Sequence, residues 1–117
     1  MKFSGMVIEG DKRGTALGFP TANLDTNIDL DPGVYAVWVH HLGERLEGVL
    51  CFGVKDAAGD MKCEVHLLDY VGNLYGCKLS IEVVGGRLSE IQELPDQDAL
   101  RRKIEQDILK ARLVLTS

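Results

Sequence analysis

The chain has 117 residues, is 45% hydrophobic, and sets 13 Lys and Arg against 18 Asp and Glu for a formal net charge of −5. That supports one domain with its own core and leaves too little length for two. The acid excess is concentrated in residues 25–60, where seven carboxylates face only Arg45 and Lys55. With no basic stripe carrying interleaved aromatics, nucleic acid is not an expected partner.

Cys51, Cys63 and Cys77 are odd in number and form no C-x-x-C pair, which argues against a disulfide framework and a structural zinc site. They read as reduced, buried small hydrophobes. The N-terminal MKFSGMVIEG lacks the apolar stretch of a secretory signal, and no run reaches the length of a membrane span. The expected compartment is therefore the cytoplasm, with no membrane partner, and the expected state is a monomer.

Taken in chain order, KFSGMVIE is a first strand. The broken segment GDKRGTALGFPTAN follows over residues 10–23, then the strands GVYAVWVHH and RLEGVLCFGV, joined by a Leu42-Gly43-Glu44 turn. Gly59-Asp60 turns the chain into MKCEVHLLDY, and CKLSIEVVG completes the series. Short strands at this spacing predict a β-sandwich or closed barrel. From Asp96 the period changes: Leu100, Ile104, Ile108, Ala111 and Leu115 recur at steps of three or four. Pro95 discourages a helix upstream and Asp96 can cap one, so an amphipathic helix is expected over about 96–115.

The segment at 10–23 is too rich in glycine for a regular element. Gly10, Gly14 and Gly18 allow close backbone approach to an anion, and Lys12 and Arg13 add positive charge in an acidic chain. It is not a P-loop, and Pro20 prevents a dinucleotide-type helix start. Thr21 and Asn23 are two residues apart, so in an extended segment they share one face and offer neutral oxygens suited to Mg²⁺. The same residue types also suit a plain glycine-rich loop with local Asx and hydroxyl turns. Residue chemistry alone leaves both readings open.

The segment G-M-V-I-E-G-D-K-R-G-T-A-L-G-F-P-T-A-N-L resembles the opening motif of the riboflavin kinases (flavokinases). The likeness continues in order through Pro32-Gly33-Val34-Tyr35-Ala36, Glu64-Val65-His66-Leu67-Leu68-Asp69, Leu74-Tyr75-Gly76 and the closing I-E-Q-D-I-L-K-A-R. The resemblance implies a six-stranded Greek-key closed barrel over about 1–94 with the C-terminal helix at 96–115, as a single domain. It implies transfer of the ATP γ-phosphoryl group to the ribityl 5′-hydroxyl of riboflavin, giving FMN and ADP. By position, Thr21 and Asn23 would hold Mg²⁺. Gly10, Lys12, Arg13, Gly14, Thr15, Gly18 and Thr21 would face the nucleotide, Arg87 and Glu90 the flavin, and Glu64 would be the catalytic carboxylate. In a strand Lys62, Glu64 and His66 share one face and Cys63, Val65 and Leu67 the other, so Glu64 can face a ligand while its neighbours face the core.

Three segments depart from the family pattern. Thr15 stands where a basic residue is common. Cys51-Phe52-Gly53-Val54-Lys55-Asp56 replaces N-I-G-x-x-P-T-F, keeping only the glycine. Gly86-Arg87-Leu88-Ser89-Glu90-Ile91-Gln92-Glu93-Leu94 replaces L-R-x-E-x-x-F, with Arg and Leu transposed and no aromatic. Elsewhere, strand alternation separates Glu64 and His66 from Cys63 and Asp69, against a transition-metal site. Of His40 and His41 one should face in and one out, and Trp38 reads as core or barrel wall. The leading expectation is a stand-alone riboflavin kinase without an adenylyltransferase half, so that FAD comes from another protein. The alternatives are a non-catalytic flavin- or nucleotide-binding module on the same barrel, and a kinase with a changed donor or acceptor.

Overall fold

The computed structural model describes residues 1–8, 21–70 and 72–117. Six strands, β1 (Lys2–Ile8), β2 (Thr21–Asp25), β3 (Gly33–His41), β4 (Glu44–Lys55), β5 (Met61–Leu67) and β6 (Lys78–Ser89), precede one helix, α1 (Gln97–Leu115). All neighbouring strands pair antiparallel, and the order β1-β2-β5-β4-β3-β6 closes on itself through β6 and β1. β3, β4 and β5 form a meander and β6 returns beside β3, which is the Greek-key connection.

Alternation fills the barrel. Val7, Leu24, Tyr35, Val37, Val39, Leu50, Phe52, Val65, Leu79 and Ile81 point inward and are buried together. The outward side of β3 is also apolar: Val34 and Ala36 pack with Val49, Leu68, Ala111 and Leu115 beneath α1, with Trp38, Val84 and Ile108 at the margin. β3 is thus buried on both faces, and each fully buried aliphatic side chain contributes roughly 1.5–3 kcal/mol. Trp38 is barrel wall, covered by the Arg45 guanidinium 4.0 Å above its ring.

The helix begins where its cap predicts. Asp96 has extended backbone, and its side chain accepts a hydrogen bond from the Ala99 amide at 2.8 Å. Arg112 ties the last turn to the barrel, donating to both Asp69 carboxylate oxygens at 3.0 and 3.2 Å and to Glu47 at 3.3 Å. The hydrogen bond to Asp69 raises its pKa further.

The β3–β4 hairpin turns on Leu42 and Gly43, with φ of 49° and 81°, a type I′ geometry that matches the strand twist. Glu44 already belongs to β4. The β4–β5 hairpin is wider than a Gly59-Asp60 turn: the Asp56 carboxylate accepts from the Ala58 and Asp60 amides at 2.9 and 3.0 Å, and Gly59 has φ of 86°. His40 is exposed with its ring 3.4 Å from Glu82, whereas His41 is half-buried at the barrel end. No helix of the described residues is long and apolar enough to cross a membrane.

Candidate active site

The site is assembled by the pairing of β2 with β5. Ala22 lies opposite Val65, and both point into the core. Alternation therefore turns Thr21, Asn23, Glu64 and His66 to the outer face, with Thr21 opposite His66 and Asn23 opposite Glu64. Directly paired side chains of adjacent strands have Cβ atoms about 4.5–5.5 Å apart. Four polar groups from segments some forty residues apart in sequence become one half-buried cluster. Lys62 joins it two residues before Glu64, its ammonium 3.7 Å from the carboxylate.

Thr21 carries an unusual atom. Its Oγ1 is fully buried and, among the described residues, has no hydrogen-bond partner. Such a hydroxyl costs free energy unless something fills its coordination. Together with the Asn23 amide oxygen on the same face, it offers the neutral hard oxygens that a divalent cation with phosphate oxygens accepts. The donor set fits such an ion.

The predicted nucleotide loop residues Gly10, Lys12, Arg13, Gly14, Thr15 and Gly18 lie outside the described residues. The anchor points on either side of them are clear: β1 ends at Ile8, paired with Asn23, and the chain resumes in β2 at Thr21. Beside Asn23 opens a cleft of about 870 Å³, bounded by Ile8, Asp25, Ile28, Lys55 and Lys62 among others. Its size is that of a small-molecule site.

Arg87 and Glu90 sit apart from the Asn23–Glu64 pair, near the start of β3. The Arg87 guanidinium donates to the Pro32 carbonyl at 3.0 Å and lies 3.9 Å from Glu90, which is largely exposed. The Arg87 stem packs so closely on Gly33 that a Cβ there would fall 2.2 Å from its Cδ. On the other side of the turn, Gly53 has φ of 120°, and a Cβ there would meet Pro32 at 2.5 Å. Tyr35 closes the arrangement by donating to the Asp31 carbonyl at 2.6 Å. Gly53 is the one glycine shared with the family pattern in β4, and its close approach to Pro32 is the physical reason for a glycine there.

The segment with the transposed Arg87 and Leu88 forms a bulge. Ala36 pairs with Val84 and Val34 with Ser89, so residues 85–88 of β6 face a single residue of β3. Ser89 thereby returns to the outer face, where its hydroxyl donates to Asp107 Oδ1 at 2.7 Å. The Lys103 ammonium completes the triad, at 2.8 Å from Asp107 Oδ2 and 3.0 Å from the Ser89 oxygen. Asp107 is 5% exposed. The sequence placed Lys62 on the face of Glu64 and Asp107 in the closing motif, but it gave neither residue a role and did not show the contact with Ser89 and Lys103. The available signals were Lys62 at i−2 from Glu64 and Lys103–Asp107 at i,i+4 toward the covered side of the helix.

Cys63 is buried, with its thiol pushed up to about 12 mainly by desolvation. Cys51, half-buried and opposite Glu64 on β4, is raised to about 11, first by burial and then by the Glu64 charge. Both are poor nucleophiles at neutral pH. Cys63 faces inward and Asp69 is held by Arg112, away from Glu64 and His66. Among the described residues no group of three or more His, Cys, Asp or Glu is placed to hold a metal ion.

The family model for flavokinase, described as riboflavin kinase, matches residues 1–115. The bifunctional riboflavin kinase/FMN adenylyltransferase of Escherichia coli (strain K12) is 39% identical over 114 residues, covering 93% of this chain and 36% of that protein. The chain thus spans a little over a third of the length of such curated relatives. Among solved structures, that of a macrolide-efflux protein from Streptococcus pneumoniae superposes with a TM-score of 0.85 at 26% identity, over 95% of this chain and 38% of that one. Riboflavin kinase from Trypanosoma brucei superposes with a TM-score of 0.67 at 20% identity, over 99% and 80% of the two chains, a likeness of fold.

Proposed function

Because the chain belongs to the riboflavin kinase (flavokinase) family, we propose that it transfers the γ-phosphoryl group of ATP to the ribityl 5′-hydroxyl of riboflavin, giving FMN and ADP. The observation that carries this reading is the β2–β5 register, which sets Asn23 against Glu64 and leaves the Thr21 hydroxyl buried without a partner.

Thr21 and Asn23 would hold Mg²⁺ or another divalent cation. When bound, that ion neutralises phosphate charge as the transition state forms. The nucleotide occupies the cleft beside Asn23, where Lys55 and Lys62 face its phosphates; by their place in the motif, Gly10, Lys12, Arg13, Gly14, Thr15 and Gly18 are assigned to nucleotide binding. Glu64 orients the 5′-hydroxyl and accepts its proton as the new O–P bond forms and the bond to the ADP oxygen breaks. Lys62 holds the carboxylate in place. Arg87 and Glu90 belong to the flavin side. With its guanidinium on the Pro32 carbonyl, Arg87 contributes there by fixing the turn into β3.

The net charge of −5 gives no electrostatic footprint for nucleic acid. The test is incubation with MgATP and riboflavin, followed by chromatography with fluorescence detection. FMN formation is expected. Binding of flavin or ADP without turnover would replace this reading with that of a non-catalytic module, and turnover only with another nucleotide would change the donor.

A further inference from the structure

One continuous row crosses the outer face of the barrel: Asn23 on β2, Glu64 on β5, Cys51 on β4, Val34 on β3 and Ser89 on β6, each opposite the next. If the phosphates lie on the Asn23 side of Glu64, an in-line transfer brings the acceptor hydroxyl in from the other side, above Cys51 and Val34. That side ends at Ser89, Asp107 and Lys103. In that row Cys51 and Val34 lie between Glu64 and Ser89.

The triad is costly as a mere fastener. Lys103 is 15% and Asp107 7% exposed at the side chain, and a buried ion pair of this kind seldom exceeds the stability of an apolar replacement. The elements it joins are specific ones. Ser89 is the first residue of β6 to regain its pairing after the bulge at 85–88, and Lys103 and Asp107 lie on consecutive turns of α1. Two hydrogen bonds, Ser89 to Asp107 and Lys103 to Ser89, fix the distance between the helix and this end of β6, and with it the bulge carrying Arg87, while a third within α1 holds Lys103 against Asp107.

We infer that Ser89, Asp107 and Lys103 act as positioning residues for the flavin acceptor: their network sets the spacing between α1 and the β6 bulge that bounds the acceptor side of Glu64. This rests on the proposed kinase activity. Neutralising the network should therefore impair use of the acceptor and spare the donor.

The experiment compares wild type with the apolar double variant Lys103→Met/Asp107→Leu and with the milder Ser89→Ala, each first checked for native folding by circular dichroism. The expected result is a rise of about tenfold or more in KM for riboflavin in the double variant, with KM for ATP within about twofold of wild type. Ser89→Ala should shift the same way by a smaller factor, and it decides the matter alone if the double variant does not fold. Unchanged KM for riboflavin, or parallel rises for both substrates, would overturn the inference. Should wild type make no FMN, the kinase reading fails separately. The inference is then judged by riboflavin affinity from fluorescence quenching: selective weakening in the variants supports it, and equal affinity or no wild-type binding overturns it.

Discussion

Replacing Thr21 by Val keeps the shape of the side chain and removes the one hydroxyl that is buried without a partner among the described residues. An unsatisfied buried polar group costs about 1–3 kcal/mol. Thr21 as a whole is half-buried, so the lower part of that range applies, about 1–2 kcal/mol. Val is also well suited to a strand. The ligand-free variant should therefore be more stable than wild type, by about 4–8 °C in Tm for a domain of this size. With MgATP the advantage shrinks. A ligand at 100 times its Kd stabilises by about 2.7 kcal/mol, and a loss of about 10–100-fold in affinity reduces that to roughly 0.4–1.4 kcal/mol. Thermal denaturation of both proteins with and without MgATP reads both effects. A ligand-free variant that melts below wild type would refute the reasoning, since the hydroxyl would then have a partner in the resting protein. An undiminished shift with MgATP would remove Thr21 from the metal and nucleotide site.

Two further outcomes follow from the geometry. Leu42 holds φ of 49° at the first central position of a type I′ turn and is 90% exposed, so Leu42→Asn should stabilise by about 1 kcal/mol with no change in turnover, measurable by urea denaturation. Cys51 and Cys63 have folded-state pKa values raised to about 11 and 12, above their unfolded values. Their contribution to stability is fully present below about pH 9 and is lost as pH rises through 11–12, so denaturation midpoints should fall on the alkaline side, and less so in Cys63→Ala relative to its own neutral value.

The barrel was legible because its strands alternate and its turns carry glycine, and α1 because Asp96 caps a run at helical spacing. β3 hid its second buried face: Val34, Ala36 and Trp38 look like an ordinary apolar strand until α1 covers them. β2 is short and sits within the glycine-rich segment, so residue types alone showed an extended stretch there and the resemblance supplied the sixth strand. The candidate site was legible by residue but not by arrangement. Nothing in the spacing of Thr21 and Asn23 from Glu64 fixes which residues face each other, because register depends on barrel closure. Asp107 fell within the closing motif of the resemblance, but its buried role was unreadable for a related reason. A carboxylate in an amphipathic helix is ordinarily solvated, and only the bulge that returns Ser89 to the outer face gives it a buried partner.

The most direct test of the phosphoryl-transfer face compares wild type with Glu64→Gln, measuring FMN formation and, by calorimetry, the affinity for MgADP. Gln keeps the size of the side chain and its place opposite Asn23 but cannot accept the hydroxyl proton as a carboxylate does. The prediction is a fall in kcat of about 10²–10⁴ with MgADP affinity within about threefold of wild type. Wild-type turnover that survives in Glu64→Gln to within about tenfold would contradict the assignment of the reaction to this face.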